Sequence, residues 1–347
     1  MLSTISRRAP GLALVIAVSA LAWIAERALT LAVGHPTLEA IVLAILIGAM
    51  VRAFWSPPAL FELGIAFAAG LLLEVAIVLL GFGADLQQFI KAGVPLVASI
   101  VGVVVAAIVT GVAIGRALGL SPVHALLVAC GNAICGNSAI AALAPVLGAK
   151  KDEVASAIAY TAVLGVVVIL GLPFLVPIFG LNHYQYGVLA GLTVYAVPQV
   201  IAAAYPVSVL AGQTATLVKL VRVLLLGPLI VVLSLRERGR ERRAHERLTD
   251  TPASAIARTG LRNLVPWFVV GFMIAGAMRS AGVVSVPIAD SARDAARILT
   301  VLAMAALGVN VDIHAIRKVG AKVAMTVTGS LAVMVTIALA IVRGLQH

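Results

Sequence analysis

Apolar stretches recur along almost the whole chain, at about 11–33, 36–54, 63–82, 93–115, 122–147, 154–180, 185–211, 214–235, 264–280, 296–310 and 321–342. Runs of about 17 to 25 apolar residues are long enough to cross a hydrocarbon core of about 30 Å as helices. The pattern therefore predicts an all-α polytopic membrane protein with about 9–11 transmembrane helices. No linker is long enough to house a separate soluble unit, so residues 1–347 read as one transmembrane domain.

Two of these segments are broken by polar residues in the same way. Residues 136–146 and 197–207 align without a gap and share Ile-Ala-Ala-x-x-Pro-Val. A second repeat relates 81–93 to 308–320, with glycine, aspartate, lysine and glycine at identical spacing. A helix interrupted at mid-membrane offers free backbone N–H and C=O groups to a polar solute, and paired interruptions in repeated halves are the pattern of a solute carrier. Counted as eleven full spans, the chain places Lys150 and Lys151 outside and gives both broken segments the same direction. Both conflicts disappear if the broken segments are re-entrant hairpins. Nine helices then span, one hairpin dips in from the cytoplasm around Asn137, and the other dips in from outside around Gln199, in an inverted pair.

Charge supports an orientation. Residues 236–262 hold eight arginines against Glu237, Glu241, Glu246 and Asp250, which makes this basic loop cytoplasmic by the positive-inside rule and a contact for anionic lipid. The largest concentration of the net charge of +11 lies there, in one linker between apolar segments, which argues against a nucleic-acid footprint. Arg7 and Arg8 precede an apolar run and place the N-terminus in the cytoplasm; Ala20-Leu21-Ala22 is followed by more apolar residues, which favours a retained helix over a cleaved signal. Cys130 and Cys135 are too few for a disulfide framework or a four-ligand metal site, and read as small packing residues. No metal or cofactor is expected.

Candidate chemistry lies at the interruptions. Asn132, Gly136, Asn137 and Ser138 put small and neutral polar groups inside an apolar run, and the helix resuming after Ser138 would aim its first amides at an anion. In the second copy Tyr195 and Gln199 supply donors and acceptors beside Pro198. Lys219 and Arg222, at i and i+3, share a helical face and would form an anion clamp if they point inward. Glu74, deep in an apolar run, and the repeated Asp85 and Asp312 are candidates for carrying a coupling proton or sodium ion. The aspartates equally suit capped turns after a helix-ending glycine. The string Gly81-Phe82-Gly83-Ala84-Asp85 has one residue too many for an intramembrane aspartyl protease, and no HExxH, GxSxG or P-loop string occurs. A channel is the nearer alternative, an intramembrane enzyme a more distant one.

The runs 131–142, 144–150, 218–228 and 302–312 resemble the bacterial YeiH-type family of sulfate exporters, over about residues 36–342. That family is grouped with the cation/proton-antiporter and anion-transporter superfamily. The resemblance implies inverted repeats crossing at interrupted helices, a multi-pass protein of the bacterial inner membrane, and export of a small anion such as sulfate or a sulfonate by alternating access, with a homo-oligomer compatible. Many relatives carry a His-Glu-type pair before the glutamine of the second broken segment. Here Ala196-Val197-Pro198-Gln199 stands instead, so a coupling role of that acidic pair would fall to another residue.

Overall fold

In a computed structural model, residues 2–33, 39–83, 86–245, 266–311 and 320–344 are described, and those of them in regular structure are helical. The helices are α1 Leu2–Val33, α2 Ala40–Phe54, α3 Ala59–Gly81, α4 Leu86–Ala117, α5 Pro122–Ala133, α6 Asn137–Leu147 and α7 Lys151–Gly171. There follow α8 His183–Thr193, α9 Val197–Ala204, α10 Val209–Leu224, α11 Leu226–His245, α12 Trp267–Ser280, α13 Val286–Val309 and α14 Ala321–Gly344. Six stretches are long and apolar enough to cross a membrane, so the chain is an all-α polytopic membrane protein. Asp85 and Asp312 lie outside the described residues.

Local chemistry sets several boundaries. Ser121 caps α5 by accepting from the His124 amide at 3.0 Å, with Pro122 in the first turn where its missing N–H costs nothing. Asn182 and Gln185 cap α8 reciprocally, at 2.8 and 3.0 Å. Ser208 caps α10. Helix α3 contains one wide π turn at Ala68–Leu72, and α4 is kinked at Gly93, whose φ of 56° suits only glycine.

The helices pack in two groups. Helices α1, α2, α3, α12 and α13 form one, in which α13 packs on α2 and α3, and α3 also on α1 and α12. Helices α4 to α11 and α14 form the other, in which α4 packs on α5 and α14, and α8 on α10. Helix α9 reaches across to α2 and α13, and α7 to α2.

The duplicated glycines occupy equivalent places in this packing. A Cβ on Gly81 would lie 2.5 Å from the Phe272 carbonyl oxygen of α12, and one on Gly308 would overlap the Ile45 oxygen of α2. Phe272 and Ile45 are each the sixth residue of their helix. The repeated glycine thus permits the same close crossing twice, α3 on α12 and α13 on α2.

Both broken segments are hairpins. Helix α5, of 12 residues, and α6, of 11, each reach only about half-way through a membrane at 1.5 Å per residue. The start of α5 meets the start of α7, since the Ser121 hydroxyl donates to Glu153 Oε1 at 2.6 Å and Ser156 lies 3.0 Å from His124 Nε2. The chain therefore returns at Gly148 to the face it left. The second segment does likewise: the Tyr186 hydroxyl near the start of α8 donates to the Ala203 carbonyl near the end of α9, at 2.8 Å.

The hairpins enter from opposite faces. Helix α14 starts beside the α4–α5 turn, where Lys322 neighbours Gly119 and Thr326 neighbours Gly115. It ends beside the start of α8, where Gln185 Nε2 donates to the Val342 carbonyl at 3.3 Å. Helix α10 runs parallel to α8, with Ala211 and Thr214 against Gly187 and Val218 against Gly191. Its continuation α11 accordingly emerges on the face of the first hairpin, where it packs on α6.

Candidate functional site

The hairpin tips cross at the centre of the second helix group. The first tip is Ile134-Cys135-Gly136, with Gly136 at φ 65°, ψ −124°, a conformation that L side chains rarely adopt. The Gly136 amide closes the turn on the Gly131 carbonyl at 2.8 Å. The second tip is extended through Val194 and Ala196, and Pro198 in the first turn of α9 restarts the helix. The tips touch: a Cβ on Gly136 would sit 3.6 Å from that of Tyr195.

At this crossing α5 and α8 present their carbonyl ends, the negative poles of the half-helices, while α6 and α9 present their amide ends. The carbonyl ends are filled by side chains of α10. Arg222 Nε and Nη2 donate to the Ala133 oxygen at 3.0 and 2.5 Å, and Nη2 also approaches the Asn132 oxygen at 3.4 Å. Its Nη1 donates to Gly191 at 2.8 Å and Val194 at 3.1 Å. Lys219 Nζ donates to the Val194 oxygen at 2.9 Å and to the Ile134 oxygen. Both side chains are 0% exposed, and among the described residues no Asp or Glu is buried. The i, i+3 pair does point inward, but its donors are directed at backbone carbonyls of both hairpins instead of forming an open clamp. Removing either cation would leave buried carbonyls without donors, each costing about 1–3 kcal/mol.

The amide ends are bridged by α7. Thr161 donates to Asn137 Oδ1 at 2.9 Å, and one turn along, Gly165 leaves the space that the Gln199 amide fills. Gln199 is 4% exposed, and its Oε1 accepts from the Ala196 amide at 3.2 Å. Asn137 and Ser138 are exposed at the first turn of α6, between buried neighbours. The Asn132 side-chain amide and the Tyr195 hydroxyl are buried with no hydrogen-bond partner, at 0% and 1% exposure. Such groups ordinarily cost about 1–3 kcal/mol unless something else meets them.

Asn132, Gly136, Asn137, Ser138, Tyr195, Gln199, Lys219 and Arg222 thus belong to the two hairpins and the helix that pins them. Glu74 does not: it lies in the other helix group and accepts from Trp267 Nε1 at 2.6 Å. Thr161 and Gly165 escaped the sequence reading. A threonine following Tyr160 within an otherwise apolar run was the available signal.

Two opposed re-entrant hairpins inside an all-helical bundle define a polytopic membrane protein with a neutral-polar and cationic centre. By sequence the chain belongs to the conserved hypothetical protein 698 family, whose family model matches residues 10–327. It is 45% identical over 342 residues to a UPF0324 membrane protein of Bradyrhizobium diazoefficiens, covering 99% of this chain and 94% of the relative. A UPF0324 membrane protein of Brucella melitensis is 46% identical over 341 residues, 98% and 92% of the two chains. One from Bacillus cereus is 36% identical over 292 residues, 81% and 77% of the two.

Proposed function

We propose that this chain is a secondary transporter of a small anion, working by alternating access at the hairpin crossing. The observation that carries this reading is the pair of fully buried cations, Lys219 and Arg222, with no buried acid among the described residues. Backbone carbonyls solvate such charges but do not neutralise them. At an effective dielectric of about 20 and a separation of about 8 Å, each cation would favour an anion by about 2 kcal/mol without touching it. Direct contacts would come from the first amides of α6, from Ser138 and Asn137, and from the unpartnered Asn132 and Tyr195.

Sulfate or a sulfonate is the leading substrate, because a tetrahedral oxyanion suits several convergent neutral donors and because the chain resembles the YeiH-type family. The basic loop 236–262, together with Arg7 and Arg8, favours an inner-membrane protein with that loop and the N-terminus in the cytoplasm. Purified protein in proteoliposomes should take up labelled sulfate or a sulfonate saturably and exchange it against internal unlabelled substrate. A non-saturating anion current would favour a channel and overturn the carrier reading.

A further inference from the structure

We propose that Lys219 and Arg222 act as a built-in cation, occupying the carbonyl ends of the two half-helices where a coupling metal ion would sit, so that the anion binds without sodium. This deepens the anion-carrier reading and rests on it.

In carriers built on broken helices, the amide ends of the half-helices face an anionic substrate, and the carbonyl ends and unwound carbonyls coordinate the coupling ion. Here those carbonyls already have ligands. The oxygens of Asn132, Ala133, Ile134, Gly191 and Val194, drawn from both hairpin tips, all accept from the Lys219 ammonium or the Arg222 guanidinium. Each nitrogen of Arg222 has at least one acceptor, and Lys219 uses two of its three donors. Both side chains are fully buried, so they fill the space as well as the lone pairs.

Charge points the same way. Each helix terminus carries about half an elementary charge, negative at the carbonyl end and positive at the amide end. The two carbonyl ends of α5 and α8 offset about one of the two side-chain charges, and the two amide ends of α6 and α9 restore about one. The crossing is therefore left with a surplus of about two positive charges, which a divalent oxyanion would match by itself. A sodium ion added to this centre would face repulsion and find no free carbonyl cluster among the oxygens named.

The experiment is a calorimetric titration of the purified full-length chain with sulfate in sodium, potassium and choline buffers of equal ionic strength, with thermal unfolding followed against sodium. Affinities within about twofold across the three buffers, and an unfolding temperature that sodium leaves unchanged, are expected. Sulfate affinity at least tenfold higher in sodium would overturn the built-in cation and leave the anion carrier standing. In Lys219→Ala the Ile134 oxygen is bared and the Val194 oxygen keeps only its Arg222 donor, so sodium or methylammonium should refill the space and the variant should gain a thermal stabilisation by those ions that the parent lacks. No such gain would overturn the proposal. If sulfate binds in none of the buffers, the sulfate reading fails, and the sodium response of parent and variant still decides the role of Lys219. Lys219→Ser, whose hydroxyl is too short to reach those oxygens, takes the place of the alanine variant if the latter does not insert.

Discussion

Asn137 and Gln199 both lie in the first turn after the break of their repeat, Gln199 aligning with Ser138, and their contacts differ in kind. Asn137 accepts from Thr161 and keeps its amide nitrogen for another partner, whereas Gln199 is buried against Gly165 and caps the start of α9. Asn137→Leu and Gln199→Leu should each abolish transport while leaving membrane insertion intact; normal transport in both, measured in proteoliposomes, would remove the site. Arg222 poses a different test. Its fork spans carbonyls of both hairpins, and a lysine, with three donors around one point, cannot span the same set. Arg222→Lys should therefore lower thermal stability as well as anion affinity. The loss of one or two charge-assisted bonds to the hairpin carbonyls, about 1.5–3 kcal/mol each, should be read as a lowered unfolding temperature, while anion affinity falls only through the displaced hairpin tips because lysine keeps the charge. The sequence exposed this arginine and Lys219 through their shared face, but the groups they meet are backbone carbonyls, which leave no mark in a pattern of side chains.

At the scale of elements, the repeated glycines make the sharpest prediction. Gly81 and Gly308 each admit a carbonyl of the neighbouring helix, so Gly81→Ala and Gly308→Ala should each destabilise the protein by about 1–3 kcal/mol, read as a lowered unfolding temperature. Gly102→Ala, where an added Cβ would meet nothing within 4 Å, is the control and should be neutral or mildly stabilising. Equal loss at Gly102 would show a general intolerance of alanine instead of two packed crossings. These glycines could be read from the sequence as a repeat, while their suitability for a capped turn concealed the packing role. Other elements were less legible. Helix α13 begins at Val286, well before the apolar run at 296–310, because Asp290, Arg293 and Asp294 interrupt its first turns. Arg297 pairs with Glu26 of α1 at 3.3 Å, and Arg293 with Asp290 at 3.2 Å. A hydropathy pattern cannot register such pairing, so it shortens the helix.

For the whole molecule, the question the sequence left open was whether each broken segment spans or returns. Hydropathy is the same in both cases, since two apolar half-helices make one apolar run. Only contacts between distant positions, Ser121 with Glu153 and Tyr186 with Ala203, separate the alternatives. They put the 148–150 turn and the emerging end of α11 on one face. Single cysteines at Ala149 and Ala244, in a background with Cys130 and Cys135 replaced, should therefore behave alike. Both should be shielded from impermeant thiol reagents outside intact cells and react once the cells are opened. Labelling of Ala149→Cys alone from outside would mean that the first segment spans.

The most direct test of the central claim, an anion held where the two hairpins cross, is equilibrium binding to purified protein of a panel of sulfate, sulfite, sulfonates and carboxylates, with Asn137→Leu and Gln199→Leu in parallel. Saturable binding of at least one of these anions is expected for the parent chain, weakened at least tenfold in each variant although both remain folded. Binding of none, or undiminished binding in both variants, would contradict the account.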